Sequence, residues 1–407
     1  MTIFVPERIV VAPSGFKESL SAIEVADAIA AGIRRVMPGT RVDTYPVPDG
    51  GEGTVDILAA RPGAVTHTLE VTGPVGQRVT AHWVEFPARR LAVIEMASCA
   101  GLTLVPQDLR DPGATTTYGV GELLRHLLDR DIETIIVGCG DSGTSDGGAG
   151  ALAALGVTAK DEHGNELAPG GAHLRHARSL DTDKLHPRLN DVDIILACNI
   201  HNVLTGKRGV ARVFGPQKGA TPQQVEELEA GLENFARLLH GHFQPAANIV
   251  TGPGSGASGG LGAGLMALGA QARNRFEVLL DEDLDELLAQ ADVVITAEGA
   301  IDFQTPRGKV PAEIARRCQD SGVPVLALAG SLGHGAPAVH DCGIAAIQSI
   351  MTVPMELSDA VSQGRPLLVA AAERAMRMLQ LGCAVAGRTE AKLRERYHAP
   401  ATVLPAA

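Results

Sequence analysis

Six short stretches of this chain join a turn to residues that can grip anions or cations. They are Pro13-Ser14-Gly15-Phe16-Lys17, Pro48-Asp49-Gly-Gly-Glu52, Gly140-Asp-Ser142-Gly-Thr-Ser-Asp146, Gly215-Pro-Gln-Lys218, Gly252-Pro-Gly254-Ser255-Gly256, and Thr296-Ala-Glu298-Gly-Ala-Ile-Asp302 running on to Lys309. Such parts suit phosphoryl transfer, which needs N–H groups around phosphates, a cation over them, carboxylates for magnesium and a group that orients the attacking hydroxyl. Lys17, Lys218 and Lys309 each sit at a loop-to-helix junction. Asp49 and Glu52 follow the second predicted strand, and Glu298 and Asp302 follow a late one, which is where open α/β sheets gather ligands. Carboxylates there can hold Mg²⁺ through oxygen, with water completing the shell. The loop at 252–260 precedes a helix, so Gly254, Ser255 and Gly256 could cradle an anion or could simply be a packing turn. Ser142 and Asp146 either line a cleft or cap the helix that follows.

Other chemistries find less support. G-x-G-x-x-G occurs at Gly254, Gly256 and Gly259, with Glu277 and Asp281 downstream, and again at Gly138, Gly140 and Gly143. That pattern keeps a nicotinamide-dependent hydroxy-acid dehydrogenase as an alternative, although Asp141 inside the second loop would repel a pyrophosphate. A non-catalytic hydroxy-acid sensor is the other alternative. There is no Walker A sequence, because Gly206-Lys207 and Gly308-Lys309 are not followed by Ser or Thr. The thirteen histidines show no metal-binding spacing, and no G-x-S-x-G elbow is present.

The elements that must position these residues read as α/β. Arg8–Ala12 is a strand, Ser21-Ala-Ile-Glu24 is a capping box, and Ala26, Ile29, Ile33 and Val36 follow at helical spacing. A strand at Val42–Val47 completes a parallel pair. Thr- and Val-rich alternation from about Ala64 to Met96 predicts a small antiparallel sheet. Strands at Thr134–Val137 and Ile194–Ala197 follow, then a helix opened by Thr221 and Pro222. The last third returns to regular α/β, with strands at Val293–Thr296, Val323–Ala329 and Ala345–Ile350. We therefore expect a discontinuous first domain, residues 1–65 and 286–407, with an α/β domain of residues 66–285 inserted.

Composition bounds the rest. The 407 residues are 45% hydrophobic and 20% charged, a globular balance of two-domain length, and 47 are glycine, which implies many tight turns. A formal charge of −12 argues against a phosphate-tracking surface for nucleic acid. Six isolated cysteines and no export-like or long apolar segment predict a reduced, cytoplasmic setting away from membranes. Homo-oligomerisation stays open.

Five motifs, VVAPSGFKESLSAIEVADAIAAGI, VPDGGEGT, VFGPQKGAT, GPGSGASGGLGAGL and VITAEGAIDFQTPRGK, resemble in that order the bacterial type I glycerate kinase family over nearly the whole length. The resemblance implies a Rossmann-like parallel-sheet domain with a second α/β domain inserted. It also implies ATP and Mg²⁺ as cofactors and phosphorylation of D-glycerate, or a close hydroxy acid, at the 2-hydroxyl. Matched positions are Lys17, Asp49, Glu52, Lys218, Glu298, Asp302 and Lys309. Chemistry assigns Lys17 and Lys218 to offsetting anionic charge, Glu298 or Asp302 to magnesium, and Asp49 to orienting the hydroxyl. This chain departs from the family pattern at Asp141, at Asn199 (expected to bind substrate, but unable to act as a carboxylate) and at Ala300, where Arg is common.

Overall fold

The computed structural model describes residues 5–397. Its strands, in chain order, are β1 (Arg8–Val11), β2 (Arg41–Thr44), β3 (Val65–Thr72), β4 (Arg78–Phe86), β5 (Leu91–Glu95), β6 (Thr134–Gly138), β7 (Thr158–Lys160), β8 (Ser179–Asp181), β9 (Asp193–Cys198), β10 (Gln271–Asn274), β11 (Val293–Ile301), β12 (Val325–Leu332) and β13 (Ile344–Ser349). They fall into two compact units. Residues up to Val47 and from Asp281 onward form one, and Pro48–Leu280 form the other.

The first unit holds a parallel sheet in the order β13-β12-β11-β1-β2, so β1 lies between one strand from each part of the chain. Ser21 starts the helix Ala22–Val36 as the sequence predicts: Glu24 N donates to Ser21 Oγ at 3.3 Å, and Ser21 N donates to Glu24 Oε2 at 2.9 Å. One face of that helix buries Val25, Ile29 and Ile33 against Ile9 and Val11 of β1 and Leu368 of the long helix Gly364–Tyr397. Full burial of each such aliphatic side chain contributes about 1.5–3 kcal/mol.

The second unit is built on a mixed sheet in the order β10-β9-β6-β5-β4-β3. The antiparallel strands expected between Ala64 and Met96 are present as β3, β4 and β5. They are not a separate sheet, because β5 pairs in parallel with β6 and carries the antiparallel part into the parallel one. Alternation along β6 shows the two faces: Ile135 and Val137 point into a large core with Trp83, Leu123 and Leu196, whereas Ile136 joins a smaller cluster with Val55, Leu58, Val93 and Leu279. That smaller cluster is roofed by the helix Thr54–Ala59, so residues 48–65, grouped with the first unit on sequence grounds, pack in the second. A small hairpin of β7 and β8 lies apart from the main sheet. Among the described residues, no helix is long and apolar enough to cross a membrane.

Candidate active site

In the second unit the chemically capable residues collect on loops at the carboxyl ends of parallel strands. The turn 49–53 lies directly over the ends of β6 and β9. A Cβ on Gly140 would stand 2.6 Å from Gly51 Cα, and one on Gly50, which has φ +83°, would stand 3.0 Å from Ala197 O. Glycine is required at both positions because the two backbones touch. This close approach, rather than a pyrophosphate, accounts for Gly138 and Gly140 of the second G-x-G-x-x-G.

Asp49 is placed by that turn. Its Oδ1 accepts from Gly51 N at 3.0 Å, and Arg275, the residue after β10, donates from Nη1 to Asp49 O at 3.0 Å and lies 3.5 Å from Asp49 Oδ2. Glu52 stands three residues on, where Thr103 Oγ1 donates to its Oε2 at 3.4 Å. Asp141 does not merely add repulsion: its Oδ2 accepts from Glu52 N at 3.1 Å. Asn199 follows β9 directly, and its Oδ1 accepts from His201 N at 3.0 Å.

Lys218 is buried at 3% exposure, and its Nζ donates to Ser142 Oγ at 2.9 Å and to Thr144 O at 2.6 Å. Burial pulls its pKa down to about 7, opposed by the carboxylate of Asp146. Because the Ser142 oxygen accepts from the lysine, its own O–H is left to donate elsewhere. The Oγ1 of Thr144 and the Oγ of Ser145 are buried without a hydrogen-bond partner among the described residues.

Two predicted ligand groups take another role. Asp146 is fully buried, and its carboxylate accepts from Thr117 N and Oγ1, both at 2.8 Å, and from Gly148 N and Gly150 N, both at 3.1 Å. Desolvation raises its pKa. It holds the start of the helix Ala149–Leu155, so the capping alternative replaces ligand binding. The anion cradle at 252–260 is also replaced. The N–H groups of Gly254, Ser255 and Gly256 are already bonded to Ile200 O, Gly252 O and Asn202 O, and Ser255 Oγ donates to Gly252 O at 2.8 Å. Gly259, at φ +68°, packs so closely on Thr144 O that a Cβ would stand 2.0 Å from it. This loop therefore buttresses the Ser142–Asp146 segment.

The first unit gathers the remaining candidates at the carboxyl ends of β1 and β11. Lys309 directly precedes the helix Val310–Gln319, and its Nζ lies 3.2 Å from Glu298 Oε1 and 3.5 Å from Asp302 Oδ1 while donating to Ala300 O at 3.1 Å. One ammonium thus stands between two carboxylates. Among the described residues, no cluster of three or more His, Cys, Asp or Glu could hold a metal alone. A carboxylate pair suits magnesium, which takes one or two carboxylates and completes its shell with phosphate and water. Ser14, after β1, donates from Oγ to Ala297 O at 3.1 Å. The turn bearing Lys17 runs along Gly299, where a Cβ would lie 3.8 Å from Lys17 N. Ala300, paired with Ser331 of β12, offers its carbonyl to Lys309.

The glycerate kinase family model matches residues 9–380 of this sequence. The chain belongs to the glycerate kinase family. It is 43% identical over 366 residues to a glycerate kinase of Halalkalibacterium halodurans, covering 89% of this chain and 96% of that relative. It is likewise 43% identical over 348 residues to a glycerate 2-kinase of Escherichia coli, covering 85% and 91% of the two chains. A crystal structure assigned as glycerate kinase 2 from Salmonella typhimurium LT2 superposes with a TM-score of 0.70 at 41% identity, covering 92% of this chain and 98% of that one. Membership of the glycerate kinase family makes this chain an enzyme, and the mixed α/β fold agrees with that neighbour. One residue of the site was not anticipated: Arg275 stands in a polar stretch, Gln-Ala-Arg-Asn-Arg, whose strand character is hidden.

Proposed function

We propose that this enzyme transfers the γ-phosphoryl group of ATP, with magnesium, to the 2-hydroxyl of D-glycerate or a closely related small hydroxy acid. The observation that carries the reading is the convergence of Asp49, Arg275, Ser142 and Lys218 on adjoining loops of the second unit. Arg275 and the Lys218-supported hydroxyl of Ser142 are suited to a carboxylate substrate. Asp49, oriented by Arg275, accepts the hydrogen bond of the attacking hydroxyl and takes its proton as the new P–O bond forms and ADP departs. Magnesium bound with ATP would neutralise charge on the transferring phosphates, and Glu298 and Asp302 are the residues that would hold it. Lys309 and Lys17 offset the remaining negative charge. The name of the Escherichia coli relative supports the 2-hydroxyl as acceptor. The six unpaired cysteines support a reduced, cytoplasmic location.

The test is to supply Mg-ATP with D-glycerate, L-glycerate, lactate and tartrate, to measure ADP, and to locate the phosphate by phosphorus NMR. Magnesium-dependent ADP formation with D-glycerate and a 2-phosphate product is expected. A 3-phosphate product would remove the regiochemical part. Reduction of a nicotinamide nucleotide without ADP formation would replace the reading by the dehydrogenase.

A further inference from the structure

The turn 49–55 is held by more than its own residues. Gly50 N donates to Thr54 Oγ1 at 2.9 Å, Gly51 N to Asp49 Oδ1 at 3.0 Å and Thr54 N to Gly51 O at 3.2 Å. The remaining donors go to two carboxylates brought in by the sheet. Glu52 N goes to Asp141 Oδ2 at 3.1 Å, and Val55 N, with Gly53 N beside it, goes to Glu95, the Val55 bond being 3.1 Å to Oε2. Glu95 is the last residue of β5, only 6% exposed, and paired in register with Gly138. Burying a carboxylate is costly, and the nearby charges of Asp56 and Glu52 oppose its ionisation further. A hydrophobic residue would satisfy the fold at the end of a core strand, but it would take this acceptor from the N–H groups of Gly53 and Val55, where the turn passes into the helix Thr54–Ala59.

We propose that Glu95 is a positioning residue for phosphoryl transfer: its carboxylate fixes the Gly53–Val55 end of the turn and thereby the placement of Asp49. Asp141 secures the middle of the same turn and Arg275 its beginning, so three points from three separate segments define where the Asp49 carboxylate stands. The proposal rests on the reading of Asp49 given above. Glu95 does not meet substrate and acts through Asp49.

The experiment compares wild type, Glu95→Gln, Asp49→Asn and the double variant at pH 8.5, with Mg-ATP and D-glycerate. Glu95→Gln is nearly isosteric and removes a buried charge, so a merely structural role predicts normal turnover. Positioning predicts that kcat falls about tenfold while KM for D-glycerate stays within about threefold, as loss of a transition-state interaction requires. The thermal midpoint stays level or rises. In the Asp49→Asn background the same change costs less than about twofold, because the group being positioned has lost its function. Wild-type kcat in Glu95→Gln, or full multiplication of the two effects in the double variant, overturns the proposal and leaves the role of Asp49 intact. Normal turnover of Asp49→Asn alone overturns the reading of Asp49 and the proposal with it.

Discussion

Replacing Lys218 by Met tests whether the site keeps its lysine amine away from water. The side chain is buried to 3% exposure with two hydrogen bonds, and desolvation brings its pKa from the ordinary 10.5 to about 7. A lowered lysine pKa means that the unfolded chain binds the proton more tightly, so stability from this group is complete above pH 10.5 and is lost as pH falls towards 7. Taking each pKa unit as about 1.36 kcal/mol, the group costs the fold about 4 kcal/mol at pH 7 and about 2 kcal/mol at pH 9. Methionine carries no such term. The stability of Lys218→Met relative to wild type should therefore shrink by about 2 kcal/mol between pH 7 and pH 9. Packing changes and lost hydrogen bonds largely cancel in that difference, as do the titrations that both proteins share. The chain has one tryptophan, Trp83, buried in the core of the same unit, so urea unfolding followed by its fluorescence at pH 7, 8 and 9 reads the quantity directly. A difference constant to within about 0.5 kcal/mol would show that Lys218 is not desolvated and would refute the reasoning.

Asp49→Asn should lower kcat by about 10²–10⁴ with a small change in KM, measured by coupled ADP release. Asp302→Ala should raise the magnesium concentration for half-maximal rate at least about tenfold, since it removes one of two carboxylates available to the ion; an unchanged magnesium titration would exclude the residue from metal binding. Gly140→Ala places a Cβ 2.6 Å from Gly51 Cα and should displace the Asp49 turn, costing about a hundredfold in kcat while most stability is kept. Ser21→Ala removes a capping box in the other unit and should destabilise that unit by about 1 kcal/mol in thermal melts, with the kinetic constants unmoved.

Local rules were readable where they act locally. Ser21 announces its helix because a hydroxyl and an acid three residues later suffice to satisfy the first N–H groups, and Thr221 does so as a cap followed by Pro222. The half-exposed edge strand Gln271–Asn274 has no such signal, since its pairing with β9 rests on backbone alone, and Arg275 was hidden with it. The glycine loops misled in a specific way. Whether an N–H group is open to a phosphate depends on which carbonyl lies opposite, and for Gly254 and Gly256 those carbonyls, Ile200 O and Asn202 O, belong to another loop. Asp146 reads equally as ligand or cap until Thr117 is seen to approach it from a distant segment. Asp141 looked like an intruding charge, and its partner Glu52 N lies 89 residues away.

The order of the first sheet bears on biosynthesis. β1 is flanked by β2, made almost at once, and by β11, which begins only at Val293. On a translating ribosome the whole of Pro48–Leu280 emerges in the meantime, so the inserted unit can finish while the opening strand still exposes an unpaired hydrogen-bonding edge. That waiting edge invites strand addition from neighbouring nascent chains. A chain released early near residue 280 would carry a completed second unit tethered to an opening segment that lacks the partner needed to close it.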